Sequence, residues 1–344
     1  MTVHPKPINL ALFGLGRWGT HLLRNFLALP QANVIAVVDP NPRRLAQIGQ
    51  DFSLGDAIQR YTSWQQAMTL PGLEAVVIAT PASTHYPMIK VALETGLHVL
   101  SEKPMTLASA ASAALCRLAK AKRRQLVVDH TYLFHPAVQA GQQLCQQRQL
   151  GPLRYAYAAR TNLGPVRSDV DALWDLAIHD VAILNHWIGQ FPVAVAAWGN
   201  AWLQPQAQAA FPSGLRDVGW MRLTYSSQLE AVIHVSWLNP DKQRRLALVG
   251  ETGTLVFDEM APDSLILYPG MIAKTSPPFL PNLQPPRVIP LAAVEPLGQM
   301  CRHFLACVAE NIASTMSSGA MAVGLVELMA ATTKAAETGQ TVNL

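Results

Sequence analysis

Gly14-Leu15-Gly16-Arg17-Trp18-Gly19 is the stretch on which the fold turns. An apolar run, Ile8 to Phe13, precedes it and reads as a buried strand; His21 to Leu29 follows and reads as a helix. The three glycines therefore stand at a strand-to-helix turn, the context that gives GxGxxG a meaning beyond glycine's general use in turns. Gly14 allows the tight turn, Gly16 lets a pyrophosphate approach the backbone, and Gly19 lets helix and strand pack closely. The N-terminus of that helix adds unpaired N–H groups and a partial positive charge for the phosphates.

A second signal supports the first. The next apolar run, Val34 to Val38, ends in Asp39, twenty residues past Gly19. An acid at the tip of the second strand is placed to hold a ribose 2′-hydroxyl and to repel a 2′-phosphate, which favours NAD over NADP. Arg43 and Arg44 follow and are placed to accept that phosphate, so NADP stays open. An ordinary βαβ unit with a solvated Asp39 is the plain structural alternative.

The chain is long enough for two domains at 344 residues. Half of it is apolar and 14% charged, a globular composition. The net charge of +4 is modest, and the basic residues are scattered apart from Lys120-Ala121-Lys122-Arg123-Arg124, which reads as the close of a helix, so no nucleic-acid patch is expected. Cys116, Cys145, Cys301 and Cys307 have no metal or redox spacing and fit reduced thiols in a cytoplasmic protein. No run approaches the roughly twenty apolar residues of a bilayer span, so no membrane partner is expected.

Through residue 130, short β-branched runs alternate with helical ones, the mark of a parallel sheet with crossovers. Ala75–Ala79 and His98–Leu100 are further strands, and Tyr86–Thr95 and Leu107–Ala121 are helices. Beyond that point the texture changes. A helix at Ala172–Ile188 is followed by strands in series: Val193–Trp202, Leu215–Tyr225, Leu229–Leu238, Arg244–Val249 and Thr254–Phe257, implying an antiparallel or mixed sheet. Eight prolines between Pro262 and Pro290 predict an irregular excursion, and two helices close the chain. The expected architecture is α/β: a doubly wound parallel sheet over 1–130, then an α+β domain over 131–344, with the terminal helices free to pack back on the first domain.

Three groups can carry chemistry. Glu102-Lys103-Pro104 follows a strand of the parallel sheet, at the edge where such sheets bind ligands. A lysine there can give or take a proton, or be a plain turn residue. Thr80-Pro81-Ala82-Ser83-Thr84-His85 lies at the same edge and can line a cofactor, with His85 equally able to be a helix-start residue. Asp175 and His179 share one helix face, so a carboxylate can orient an imidazole that exchanges a proton with an alcohol. Asp180 is a further partner or a surface charge. His186 lies farther along, but no third and fourth ligand accompany it, and no metal is expected.

In this order, the GLGRWG turn, the ATPASTH loop, SEKP, the DLAIHD helix and the closing ETGQTVNL resemble the Gfo/Idh/MocA family of nicotinamide-dependent oxidoreductases. The resemblance implies a Rossmann domain and a second domain built on a large open, mainly antiparallel sheet that pairs subunits into a homodimer or homotetramer. It implies that Gly14, Gly16, Arg17, Trp18, Gly19, Asp39, Thr80, Pro81, His85, Glu102 and Lys103 hold NAD. It further implies that Lys103 relays the proton, with Asp175 and His179 completing the site. The flank Asn162–Val170 with Leu173–Leu176 looks like the branch acting on nucleotide-activated sugars. There Arg160, Arg167 and Trp174 are substrate candidates, although the two arginines can instead pair with Asp169 and Asp171. A dehydrogenase of free polyols or aldoses and a non-catalytic dinucleotide-binding sensor are the alternatives.

Overall fold

Nearly every residue of the first strands is buried, because helices cover both faces of the sheet they build. The computed structural model describes residues 6–272 and 278–344. The chain divides into two units, Met1–Thr131 with Val294–Val326 and Tyr132–Ala293 with Glu327–Leu344.

The first unit runs β1 (Ile8–Phe13), α1 (Arg17–Leu27), β2 (Ala32–Val38), α2 (Pro42–Asp51), β3 (Gln59–Tyr61), α3 (Trp64–Ala67), β4 (Ala75–Ile78), α4 (His85–Glu94), β5 (His98–Glu102), α5 (Ser109–Lys122) and β6 (Leu126–Asp129). Its strands are all parallel, in the order β3-β2-β1-β4-β5-β6. The order reverses between β1 and β4, and the crevice outside the strand ends at such a reversal is where doubly wound sheets bind ligands. The glycine turn leaves β1 and the Thr80-Pro81 loop leaves β4, so the two flank that point.

The second unit holds α6 (Pro136–Gln146), β7 (Leu153–Leu163), α7 (Ile178–Ile188), β8 (Ala194–Asn200), β9 (Val218–Thr224), β10 (Glu230–Ser236), β11 (Leu238–Gly250), β12 (Gly253–Asp258), β13 (Leu265–Ile272), β14 (Pro281–Leu283) and β15 (Arg287–Val288). The chain then returns to the first unit as α8 (Pro296–Glu310), where Phe304 meets Phe26 of α1 edge-on at 6.4 Å. The division between units falls inside α9 (Gly319–Thr338), and β16 (Val342–Asn343) ends the chain on β8.

Among the described residues the second sheet has the order β14-β13-β12-β11-β7-β10-β9-β8-β16, with β15 on β13. Among the described residues of this sheet, only β7 and β10 pair in parallel. Along β7, Ala156, Ala158 and Arg160 point inward, whereas Tyr155 and Tyr157 are exposed on the other face. That outer face also carries Trp198 stacked on Trp220, itself stacked on His234.

The Pro262–Pro290 stretch is less irregular than its composition predicts. Residues 273–277 lie outside the described residues, but β13, β14 and β15 occupy much of the rest. Leu265 and Leu267 are buried while Ile266 between them is half-buried, and all three pair with β12, so a period-2 pattern overrides the prolines. The proline-bearing β14 is terminal in the strand order, where a missing N–H is tolerated.

Candidate functional site

In the first unit the three glycines have three distinct surroundings. Gly14 has φ +86°, and a Cβ there would lie 2.6 Å from the Ala79 carbonyl oxygen. A Cβ on Gly19 would lie 1.8 Å from the Gly14 carbonyl oxygen, so the helix start and the turn touch backbone to backbone. Around Gly16 nothing lies within 4 Å. Gly16 is also the N-cap of α1; no side chain caps the helix and no acid stands in its first turn. Open space beside uncapped N–H groups fits a pyrophosphate. Arg17 and Trp18 are exposed beside it.

Asp39 braces this turn. Its Oδ2 accepts from the Leu15 N–H and its Oδ1 from the Asn41 N–H, both at 2.9 Å. Arg44 folds over the same turn, donating to the Leu15 carbonyl at 2.6 Å and to Thr20 Oγ1 at 2.8 Å. Arg43 stays exposed, so of the two arginines it is the one turned to solvent.

Thr80 is half-buried and Pro81 exposed at the β4 end. His85 is turned inward instead of along the cofactor edge. Its ring is 1% exposed, with Nδ1 and Nε2 each 2.8 Å from a carbonyl oxygen, those of Pro104 and Thr80. His85 thus links the β4 loop to the β5 loop. The Lys103–Pro104 peptide of that second loop is cis. Lys103 is buried at the end of β5, and its N–H donates to Glu102 Oε2 at 3.2 Å.

Two residues here escaped the sequence reading. Asp129 is the register partner of Glu102 across β5 and β6, and His130 follows it, buried, with no hydrogen-bond partner at either ring nitrogen. Burial, and then the Lys103 charge, pull the His130 imidazole down to about 3 and keep it neutral. A signal was available: Leu126-Val127-Val128-Asp129 repeats the pattern of Ala36-Val37-Val38-Asp39.

In the second unit one wide, π-type turn, Leu173–Ala177, leads into α7. From 171 to 185, Asp175 and His179 alone are not buried. Such turns recur at functional sites because they displace side chains from the regular helical register. Asp175 accepts from Arg167 at 3.2 Å and from the Trp237 indole at 3.3 Å. Arg167 also holds Asp169 through two hydrogen bonds, at 2.8 and 2.6 Å. The His179 ring lies 5.0 Å from that of Tyr132.

Beneath His179 is a buried polar platform. Arg160 binds Asp180 through two hydrogen bonds, at 3.0 and 2.7 Å, and donates to the Tyr132 hydroxyl at 2.8 Å. That hydroxyl donates onward to Glu259 at 2.6 Å. Burial opposes the Arg160 charge, but Asp180, Tyr132 and Glu259 outweigh it and hold the guanidinium protonated. These contacts correct two substrate candidates. Arg160 is 2% exposed with its donors engaged; Trp174 is equally buried, donating to Thr333 and packed edge-on against Phe211. Asp180 likewise is no surface charge. Removing one partner of a buried, hydrogen-bonded ion pair costs about 3–5 kcal/mol. Asp180→Ala is expected to lose that much in urea unfolding, and a loss below about 1 kcal/mol would make the platform dispensable.

His186 meets the side-chain amides of Gln139 and Gln142 at 3.4 Å. Among the described residues no cluster of three or more His, Cys, Asp or Glu could hold a metal ion. No helix of the described residues is long and apolar enough to cross a membrane.

Comparison with known proteins gives concordant matches. Residues 8–130 match the family model described as "Oxidoreductase family, NAD-binding Rossmann fold", and residues 138–256 match "GFO/IDH/MocA C-terminal domain". The chain is 31% identical over 218 residues to UDP-N-acetylglucosamine 3-dehydrogenase of Acidithiobacillus ferrooxidans, covering 62% of each chain. It is 27% identical over 203 residues to scyllo-inositol 2-dehydrogenase (NAD(+)) of Bacillus subtilis, covering 56% of this chain and 57% of that one. It therefore spans less than two thirds of the length of these curated relatives. A crystal structure of a presumed oxidoreductase from Magnetospirillum magnetotacticum MS-1 is similar over 96% of this chain and 100% of its own, at 30% identity and a TM-score of 0.77.

Proposed function

The chain belongs to the Gfo/Idh/MocA oxidoreductase family, and from that premise we propose that it moves a hydride between NAD and a hydroxyl-bearing carbon of a nucleotide-activated sugar. NAD, when bound, supplies the hydride acceptor. Gly14, Gly16, Gly19 and the start of α1 hold its pyrophosphate, and Asp39 its adenosine ribose. Arg17, Trp18, Thr80, Pro81, Glu102 and Lys103 complete that set. His179 takes the proton of the substrate hydroxyl, Asp175 tunes and orients it, and Lys103 relays a proton onward. The observation that carries this reading is the exposure pattern of 171–185: in an otherwise buried stretch, only an acid and an imidazole four residues on stay partly exposed. A dinucleotide sensor has no use for such a pair, or for a lysine buried at the β5 end.

The nucleotide-sugar assignment draws support from the 31% identity to the UDP-N-acetylglucosamine enzyme. The polyol reading keeps the 27% identity to the inositol enzyme. UDP alone separates them. Thermal stabilisation of the NAD-loaded protein by UDP is expected, because a nucleotide subsite binds its half of the substrate; no shift with UDP, but one with inositols, moves the chain to the polyol branch. The outer face of the second sheet, with Tyr155, Tyr157, Trp198 and Val232 exposed, supports a homodimer or homotetramer. A monomer by light scattering removes that part of the reading.

A further inference from the structure

Glu102 and Asp129 stand side by side at the carboxyl ends of β5 and β6, in register, 8% and 3% exposed. Each carboxyl group has one oxygen met by an ordinary donor. Glu102 Oε2 accepts from the Lys103 N–H, and Asp129 Oδ1 from the Thr131 hydroxyl. The other two oxygens, Glu102 Oε1 and Asp129 Oδ2, are buried with no such donor. Yet the two carboxyl groups lie within hydrogen-bonding reach of each other. Two buried carboxylates in that position repel. A single proton between them turns the repulsion into a hydrogen bond and satisfies both orphan oxygens.

We propose that Asp129 and Glu102 hold one proton between them and form a singly charged acid pair that positions Lys103. The local charges are consistent with this count. The Lys103 ammonium acts on Glu102, Asp129 and His130. His130 is neutral, and the Cys301 thiol of α8 is pushed well up by burial and then by Asp129, Glu295 and Glu102, with Arg302 opposing. One positive charge then faces one negative charge. Two carboxylates would leave a net buried negative charge, which is strongly unfavourable. Burial, then Asp129, raise Glu102 well above the usual carboxylate range, so Glu102 is the proton's main home; burial raises Asp129 as well. Asp129 is thus a positioning residue that acts through Lys103. Its kinetic consequence rests on the role proposed above for that lysine, whereas the shared proton does not.

Infrared difference spectra of the intact apoprotein at neutral pH, parent against Asp129→Asn, test the proton directly. The parent should show the C=O stretch of a protonated, buried carboxylic acid. Asp129→Asn should lose it, because the amide donates to Glu102 in the proton's place. No such band in the parent overturns the pair whatever the substrate proves to be. Kinetics then test the positioning. Asp129→Asn should keep kcat within about threefold and lose the alkaline limb of the pH profile, where the parent pair gives up its proton. Asp129→Ala should lose about ten- to a hundredfold in kcat with NADH affinity kept. Equal losses in the two variants, or an unchanged alkaline limb in Asp129→Asn, contradict the role. Should Asp129→Ala not fold, the infrared band and the pH profile of Asp129→Asn still decide.

Discussion

Lys103→Met is expected to keep most NADH affinity, because the glycine turn and Asp39 still hold the dinucleotide, and to turn over roughly 10²- to 10⁴-fold more slowly, the range associated with a lost proton-transfer group. Methionine keeps the length and apolar stem of the buried side chain, so the β5 end should hold its shape. What disappears is the proton and the charge facing Glu102 and Asp129. Fluorescence titration with NADH, beside initial rates on the best substrate, separates binding from turnover. Near-parental turnover would remove Lys103 from the relay and leave it a structural lysine.

A pair of alanine substitutions should divide the glycine turn into its two tasks. Gly19→Ala puts a methyl group 1.8 Å from the Gly14 carbonyl oxygen, and neither backbone can give way cheaply. The helix start must then shift, and a displacement near 1 Å is enough to cost about a hundredfold in function. NADH affinity is expected to fall by at least that order, together with the melting temperature. Gly16→Ala meets nothing within 4 Å, and its φ of −63° suits any residue. It should melt as the parent does, yet bind NADH more weakly, because the methyl group stands where the pyrophosphate approaches. Thermal melts and NADH titration of both variants check this. Equal behaviour of the two would mean that the glycines do not divide the work in this way.

Much of the first unit was legible because its strands are continuous apolar runs with short helical crossovers, although α1 begins at Arg17, inside the glycine turn, and not at the expected His21. The second sheet was legible as strands in series, but not across Pro262–Pro290, where composition hid the alternation of Leu265 and Leu267. The site shows the same division. The spacing of Asp175 and His179 pointed to one helix face, and both do stay open, although through a π-type turn that no spacing rule foretells. Arg160 was misassigned although the alternation could have placed it, since it shares the inward parity of Ala156 and Ala158. Asp129 was missed because an acid after an apolar strand draws notice only where a cofactor pattern asks for one.

The most direct test of the hydride-transfer claim is NADH formation by the parent protein with NAD, scanned over UDP-N-acetylhexosamines and their uronates beside free inositols and aldoses. Turnover confined to the nucleotide sugars is the predicted result. Tight NAD binding with no NADH formed from any of these substrates would contradict hydride transfer to sugars and favour the sensor reading.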